Sequence, residues 1–201
     1  DRVTYHNIFI SDDFYSSLIN GYTMSEIIML SNIVLMPANW ANTTRVAKWR
    51  NLPRTIVNRL LLPHNTIDID LLQLSEQNMF FISRWEKIYS AAIMVASRQL
   101  APMFVRFPAA LTLLTAKQRA FLYIPWFSSL PINQEYRQPD LAMLEQYAYT
   151  LLLKAMHNRL PTPLIPLLAL FFSDECQEPD IRDDQIYSEE YFLFLRAIEY
   201  A

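Results

Sequence analysis

Glycine occurs once in the 201 residues, as Gly21, and cysteine once, as Cys176. Phosphate-binding loops and dinucleotide fingerprints each need several glycines, so a single one excludes both. The Gly-x-Ser-x-Gly nucleophile elbow falls for the same reason. Tight hairpins lean on glycine at positive φ, whereas helices do not. A lone cysteine makes no internal disulfide, which suits a reducing compartment. Histidine is scarce too: His6, His64 and His157 lie far apart and share no metal-ligand spacing. No signal peptide is visible, and the chain begins at Asp1 rather than methionine, as a processed or trimmed chain would.

What is present is core material. Hydrophobic residues make up 52% of the chain and charged residues 18%, with 12 Phe and 11 Tyr, so the bulk of the chain is expected to fold as one domain. Proline follows a bulky apolar residue at Met36-Pro37, Leu52-Pro53, Leu62-Pro63, Phe107-Pro108, Ile124-Pro125, Leu130-Pro131 and Leu160-Pro161. Proline disfavours the α conformation in the residue before it and suits the first turn of the next helix. These sites therefore predict helix boundaries, and the fold class is mainly α: a compact, irregular bundle of proline-bounded helices.

Along the chain, residues 12–20 predict a short helix stopped by Gly21. Thr23 and Glu26 have capping-box spacing and open an apolar segment to about residue 35, whose Ile, Val and Met content leaves a strand reading open. Residues 37–51 and 53–62 predict helices with basic faces. Residues 69–100 predict the longest segment, with a break near Ser75 or Trp85. Within it, residues 88–97 are apolar on all sides and read as the buried central helix. Residues 103–114 suit one or two short turns. Residues 115–123 predict a helix with Ala116, Ala120 and Phe121 inward, and 127–138 a loop. A strong helix is expected from Pro139, with Asp140 in its first turn and Lys154, His157 and Arg159 in its last. Its inward face is Leu141, Leu144, Ala148, Leu151, Leu152 and Ala155. Residues 174–186 predict an acidic loop. Ser188 then caps a final helix over 187–200, whose Tyr191, Leu195 and Ile198 share a face.

The stretch RLPTPLIPLLALFF, residues 159–172, contains three prolines. A membrane span needs ~20 apolar residues, so this run is too short. Pro163 and Pro166 match P-x-x-P, but displaying the run would leave an apolar surface. It is expected to pack as a proline-started helix with Leu164, Leu167, Leu168 and Phe171 inside.

No catalytic set emerges. His64, Asp68 and Asp70 lack the ligands of a metal site and the nucleophile of an acid–base site, and read as a loop with helix-capping aspartates. The cluster Asp174, Glu175, Cys176, Glu178, Asp180 lacks the glycine and spacing of a calcium loop. Its acids should raise the Cys176 thiol's pKa. Arg84-Trp85 reads as a core anchor with a rim arginine. No cofactor and no metal are expected.

Charge is unevenly spread over a net −3. Residues 45–159 carry 14 basic and 7 acidic side chains, whereas 160–201 carry 2 basic and 9 acidic. Two readings stand: separate charged interaction faces, or an acidic end folded back on the basic middle. As faces, the basic one is Arg45, Lys48, Arg50 and Arg54, and the acidic one Asp174, Glu175, Glu178, Asp180, Asp183 and Asp184 with the final helix. Nucleic acid fits poorly with an acidic chain that lacks a nucleic-acid motif. A helical protein holding a lipid or other apolar ligand in an aromatic cavity is the alternative from another class.

Three stretches carry a family resemblance: ISRWEKIYSAAIMVASRQLAPMF (82–104), LLTAKQRAFLYIP (113–125) and HNRLPTPLIPLL (157–168). Together they resemble the cytosolic sorting-platform adaptors of bacterial type III secretion injectisomes, the SctK or OrgA-like family. The resemblance covers roughly residues 72–170, and the acidic insertion at 174–184 departs from the family pattern. It implies a non-enzymatic, mostly helical adaptor at the cytosolic face of the inner membrane. Its implied partners are proteins: the cytoplasmic domain of the inner-membrane ring and the platform's pod protein, beneath the export apparatus.

Overall fold

The computed structural model describes residues 24–62, 75–125, 138–157, 159–179 and 188–201. Every regular element among them is helical, so the fold is mainly α. The helices are α1 (Met24–Leu35), α2 (Thr43–Ala47), α3 (Arg54–Leu61), α4 (Glu76–Ile82), α5 (Ile88–Gln99), α6 (Ala101–Arg106), α7 (Ala116–Leu122), α8 (Leu141–Met156) and α9 (Ser188–Tyr200). Short 3-10 turns join them at Pro37–Asn39, Trp85–Lys87, Pro108–Leu113, Thr162–Leu164 and Pro166–Phe171.

α5 is the centre, packing against α7, α8 and α9. Every residue from Ala91 to Ser97 is buried, as an all-apolar helix requires. Its one buried hydroxyl, Ser97, donates to the Ile93 carbonyl at 2.6 Å and so needs no outside partner. α8 lays Leu144, Ala148, Leu151, Leu152 and Ala155 against this centre. α9 adds Phe194, Ala197 and Ile198, all fully buried, while Leu195 is half-buried. The Arg159 guanidinium sits 3.8 Å from the centre of the Tyr191 ring and joins the end of α8 to α9.

Side-chain caps set several boundaries. Ser75 accepts from Asn78 N at 3.2 Å and opens α4. Thr115 and Gln118 form a reciprocal capping box on α7. Asp140 accepts from Met143 N at 2.7 Å and starts α8. The expected break in 69–100 falls at both candidate places: Ser75 caps α4, and Trp85 begins a 3-10 turn. Trp85 is buried and Arg84 lies over the Phe80 ring.

Four expectations are corrected. Residues 37–51 are not one helix: the Asn42 side chain accepts from Thr44 N and caps a new start. α7 buries Gln118, Phe121 and Leu122, so Ala116 and Ala120 point to solvent. Leu141 is 49% exposed, in a first turn of α8 where Ala142 is exposed as well. Residues 159–172 form two 3-10 turns, not an α-helix. Pro163 and Pro166 lack the N–H groups an α ladder needs, and each ring obstructs the carbonyl four residues back. The burial is as expected: Leu164, Leu167 and Leu168 are 0% exposed and Phe171 4%. Each such side chain contributes ~1.5–3 kcal/mol of transfer free energy. Thr23, His64, Asp68, Asp70, Asp180, Asp183, Asp184 and the helix expected over 12–20 lie outside the described residues.

Candidate functional site

The end of the Pro166–Phe171 turn runs between α2 and α8, and polar side chains hold it on both sides. From the α2 side, Asn42 N donates to Leu170 O at 2.7 Å, and its Nδ2 to Phe171 O at 3.2 Å. Arg45 Nε donates to Phe172 O at 2.6 Å, and its Nη2 to Ser173 O at 3.0 Å. Lys48 Nζ lies 3.4 Å from Asp174 Oδ2. From the α8 side, Glu145 Oε2 accepts from Ser173 N at 3.3 Å, and Gln146 exchanges two bonds with Gln177.

Glu145 is the hub. It is 4% exposed, and its Oε1 accepts from Tyr89 Oη at 2.7 Å and from Asn42 Nδ2 at 3.4 Å. A buried carboxylate is tolerable only when its oxygens are satisfied, and here three donors converge on it. The Tyr89 phenol is pushed well above its ordinary pKa, chiefly by burial and then by its bond to Glu145. Burial, with Glu178 nearby, pushes Tyr149 up to about 12, against the opposing Arg45 charge. Burial also raises the half-buried Cys176 thiol; its contact with Ser173 opposes this and Glu145 adds to it. A thiol so placed is a weak nucleophile at neutral pH.

The proposed basic residues therefore divide. Arg45 and Lys48 face the chain's own 172–174 segment, so the acidic end folds onto the basic middle at this point. The Lys48–Asp174 pair itself contributes little, because both side chains are nearly half exposed at 49% and 44%. Arg54 donates to Asn39 Oδ1. Arg50 is exposed, as is Arg59, and neither makes an ion pair among the described residues. Glu175 and Glu178 are exposed beside Asp174. Sequence reasoning missed Glu145, Asn42 and Tyr89. A carboxylate flanked on its helix by Leu144, Ala148 and Tyr149, all of which turn inward, was the available signal for the first.

Beside the hub lies an open groove of about 820 Å³, walled by Ile33, Trp40, Trp85, Tyr89 and Phe171, with Asn42 at its edge. Trp40, Trp85 and Phe171 form one aromatic cluster, with ring centroids 4.9 to 5.4 Å apart. Among the described residues no group of three His, Cys, Asp or Glu is placed to hold a metal. No described helix is long and apolar enough to cross a membrane. No family model, curated protein or solved structure matches the chain.

Proposed function

We propose that this chain is a non-enzymatic protein-binding adaptor of a type III secretion injectisome, standing between the inner-membrane ring's cytoplasmic domain and the sorting-platform pod protein. The observation that carries the binding half of this reading is the exposed basic surface running from Arg50 through α3 to Arg59, which makes no ion pair among the described residues. The injectisome half rests on the resemblance over residues 82–104, 113–125 and 157–168. Its support is that all three stretches contribute to one core, through Trp85, Ile88, Phe121, Leu164 and Leu168. A scaffold of that kind needs a rigid centre and charged surfaces that choose partners, because complementary charge sets specificity and encounter more than raw affinity. The test is a pull-down with the tagged chain from a strain carrying an injectisome, against Arg50→Glu/Arg54→Glu. The wild type recovers the ring and pod proteins, and the variant loses one of them while keeping its fold. Recovery of neither by the wild type refutes the assignment.

The aromatic groove favours a second reading, a carrier of an apolar ligand, since its volume falls in the range of ligand sites. Trp40 and Trp85 line it, so titration with a long-chain fatty acid would shift tryptophan emission under this reading. An unchanged spectrum at saturating ligand counts against it.

A further inference from the structure

From Ile27 to Leu62 the chain carries five basic side chains and no acidic one. α3 lies in this stretch and is apolar on two sides. Val57 and Leu61 are buried against the Pro37–Asn39 turn, at 3% and 8% exposure. Ile56 and Leu60 are 45% and 49% exposed, and Leu52, just before the helix, is 41% exposed. At about 100° per residue, Ile56 and Leu60 stand roughly a third of a turn from the buried pair, so they make a second ridge rather than the edge of the first. Arg50 and Arg59, both exposed, stand next to that ridge in sequence, two residues before Leu52 and one before Leu60.

We propose that the Leu52–Ile56–Leu60 ridge, with Arg50 and Arg59 beside it, is a docking surface for an acidic amphipathic helix of a partner protein. The reading rests on the adaptor function proposed above and names the chemistry of one partner. Three observations select this occupant. The spacing of four residues between Ile56 and Leu60 is the ridge that another helix accepts in its grooves. No strand is present among the described residues, so no sheet edge offers itself to an extended peptide. The flanking arginines make no ion pair among the described residues, and carboxylates on an incoming helix would complement them. An anionic bilayer suits the same arginines less well. Asp174, Glu175 and Glu178 are exposed where Lys48 meets Asp174, two residues before Arg50, and a flat anionic surface would meet them together with the arginines. A single helix lying along α3 would not.

The test uses the full chain and a labelled amphipathic peptide of about 20 residues, long enough to hold a helix. Its apolar face carries leucines at helical spacing and its flanks carry glutamates. Fluorescence anisotropy should show saturable binding that weakens as salt is raised to about 0.15 M, where exposed charges more than about 8 Å apart are screened. Ile56→Ser/Leu60→Ser and Arg50→Ser/Arg59→Ser should each raise Kd about tenfold or more, as loss of central contacts does. Both variants alter exposed positions, and an unchanged thermal melt checks their folding; Ile56→Ala/Leu60→Ala serves if the serine pair melts early. Equal binding of a scrambled or lysine-flanked peptide, no saturable binding, or variants that bind as the wild type does would each overturn the proposal. Sedimentation with phosphatidylglycerol vesicles, lost in the same variants while the acidic peptide fails to bind, would overturn it in favour of a membrane face. The assay contains no secretion component. Failed peptide binding beside a successful pull-down removes only this surface, and the reverse removes only the injectisome assignment.

Discussion

Replacing Glu145 tests whether the 170–177 segment is held by a buried carboxylate. Glu145→Ala removes the acceptor from Tyr89 Oη at 2.7 Å, Ser173 N at 3.3 Å and Asn42 Nδ2 at 3.4 Å. Hydrogen bonds to a charged group contribute about 1.5–3 kcal/mol each at good geometry. Two of these three are long, so the Tyr89 bond dominates and the total loss is ~2–4 kcal/mol. For a chain of this size each kcal/mol moves Tm by about 2–4 °C, which predicts a fall of roughly 5–15 °C. Glu145→Gln keeps the volume and one acceptor but turns an amide N–H₂ toward a donor, so it costs less, ~1–2 kcal/mol. Urea unfolding followed by tryptophan emission is the assay, because Trp40 and Trp85 pack on Phe171 at the start of the segment. A double-mutant cycle with Tyr89→Phe isolates the main bond and should return a coupling of about 1–2 kcal/mol. A Glu145→Ala loss below ~1 kcal/mol, with zero coupling in the cycle, would show that water already serves these groups and would refute the account.

Two further predictions follow from the core and its phenols. Ile93→Asp, at a site 3% exposed in the middle of α5, places a charge with no partner in the most buried helix and should cost several kcal/mol; a variant that melts as the wild type does would show α5 to be peripheral. Tyr89 and Tyr149 both hold their protons more tightly when folded, Tyr149 to about pH 12. Above the ordinary phenol value of about 10 the unfolded chain therefore binds fewer protons than the folded one. Stability is complete below that pH and falls as pH rises, by up to ~1.4 kcal/mol per pH unit for each phenol. Urea midpoints measured on both sides of this pH should show the decline, and Tyr89→Phe/Tyr149→Phe should flatten it; equal slopes in the two proteins would contradict the burial of these phenols.

Helix boundaries were legible at most of the local signals that set them, the Asn42 cap of α2 being the exception. Thr115 with Gln118, Asp140 before α8 and Ser75 before α4 are chemical statements contained within four residues. The all-apolar composition of 88–97 had only one low-energy position, the centre. Legibility failed where the deciding partner was distant in sequence. Ala120 and Leu141 fit an inward reading of their own helices, and only the extent of the neighbouring elements shows that each faces water. Arg45 reads as a surface cation until its carbonyl partners, 127 and 128 residues away, are in view. Glu145 was half readable: its place beside Leu144, Ala148 and Tyr149 signals burial, but its partner Tyr89 is 56 residues distant. Ile56 and Leu60 hid differently: an apolar residue on a helix reads as core by default, and α3 has two apolar sides where one suffices for packing.

The basic side chains of the middle stretch thus divide into two groups. Arg45 donates to the Phe172 and Ser173 carbonyls just past a 3-10 turn, where the chain is extended at Phe172 and the turn's own bonds do not serve them. Its planar guanidinium reaches two carbonyls from two nitrogens. Arg45→Lys keeps the charge but offers one compact ammonium, so it should still loosen residues 172–173. Arg45 therefore behaves as part of the fold, and a binding experiment that changes it would confuse misfolding with a lost contact. Arg50 and Arg59 stand on the other side of Trp49, exposed, without ion pairs among the described residues and next to apolar side chains that the core does not use. Altering them leaves the 170–177 segment intact, because no bond to that segment depends on them. Exposed charge that makes no ion pair among the described residues is thereby separable from charge that holds the chain together, and the boundary between the two falls at Trp49.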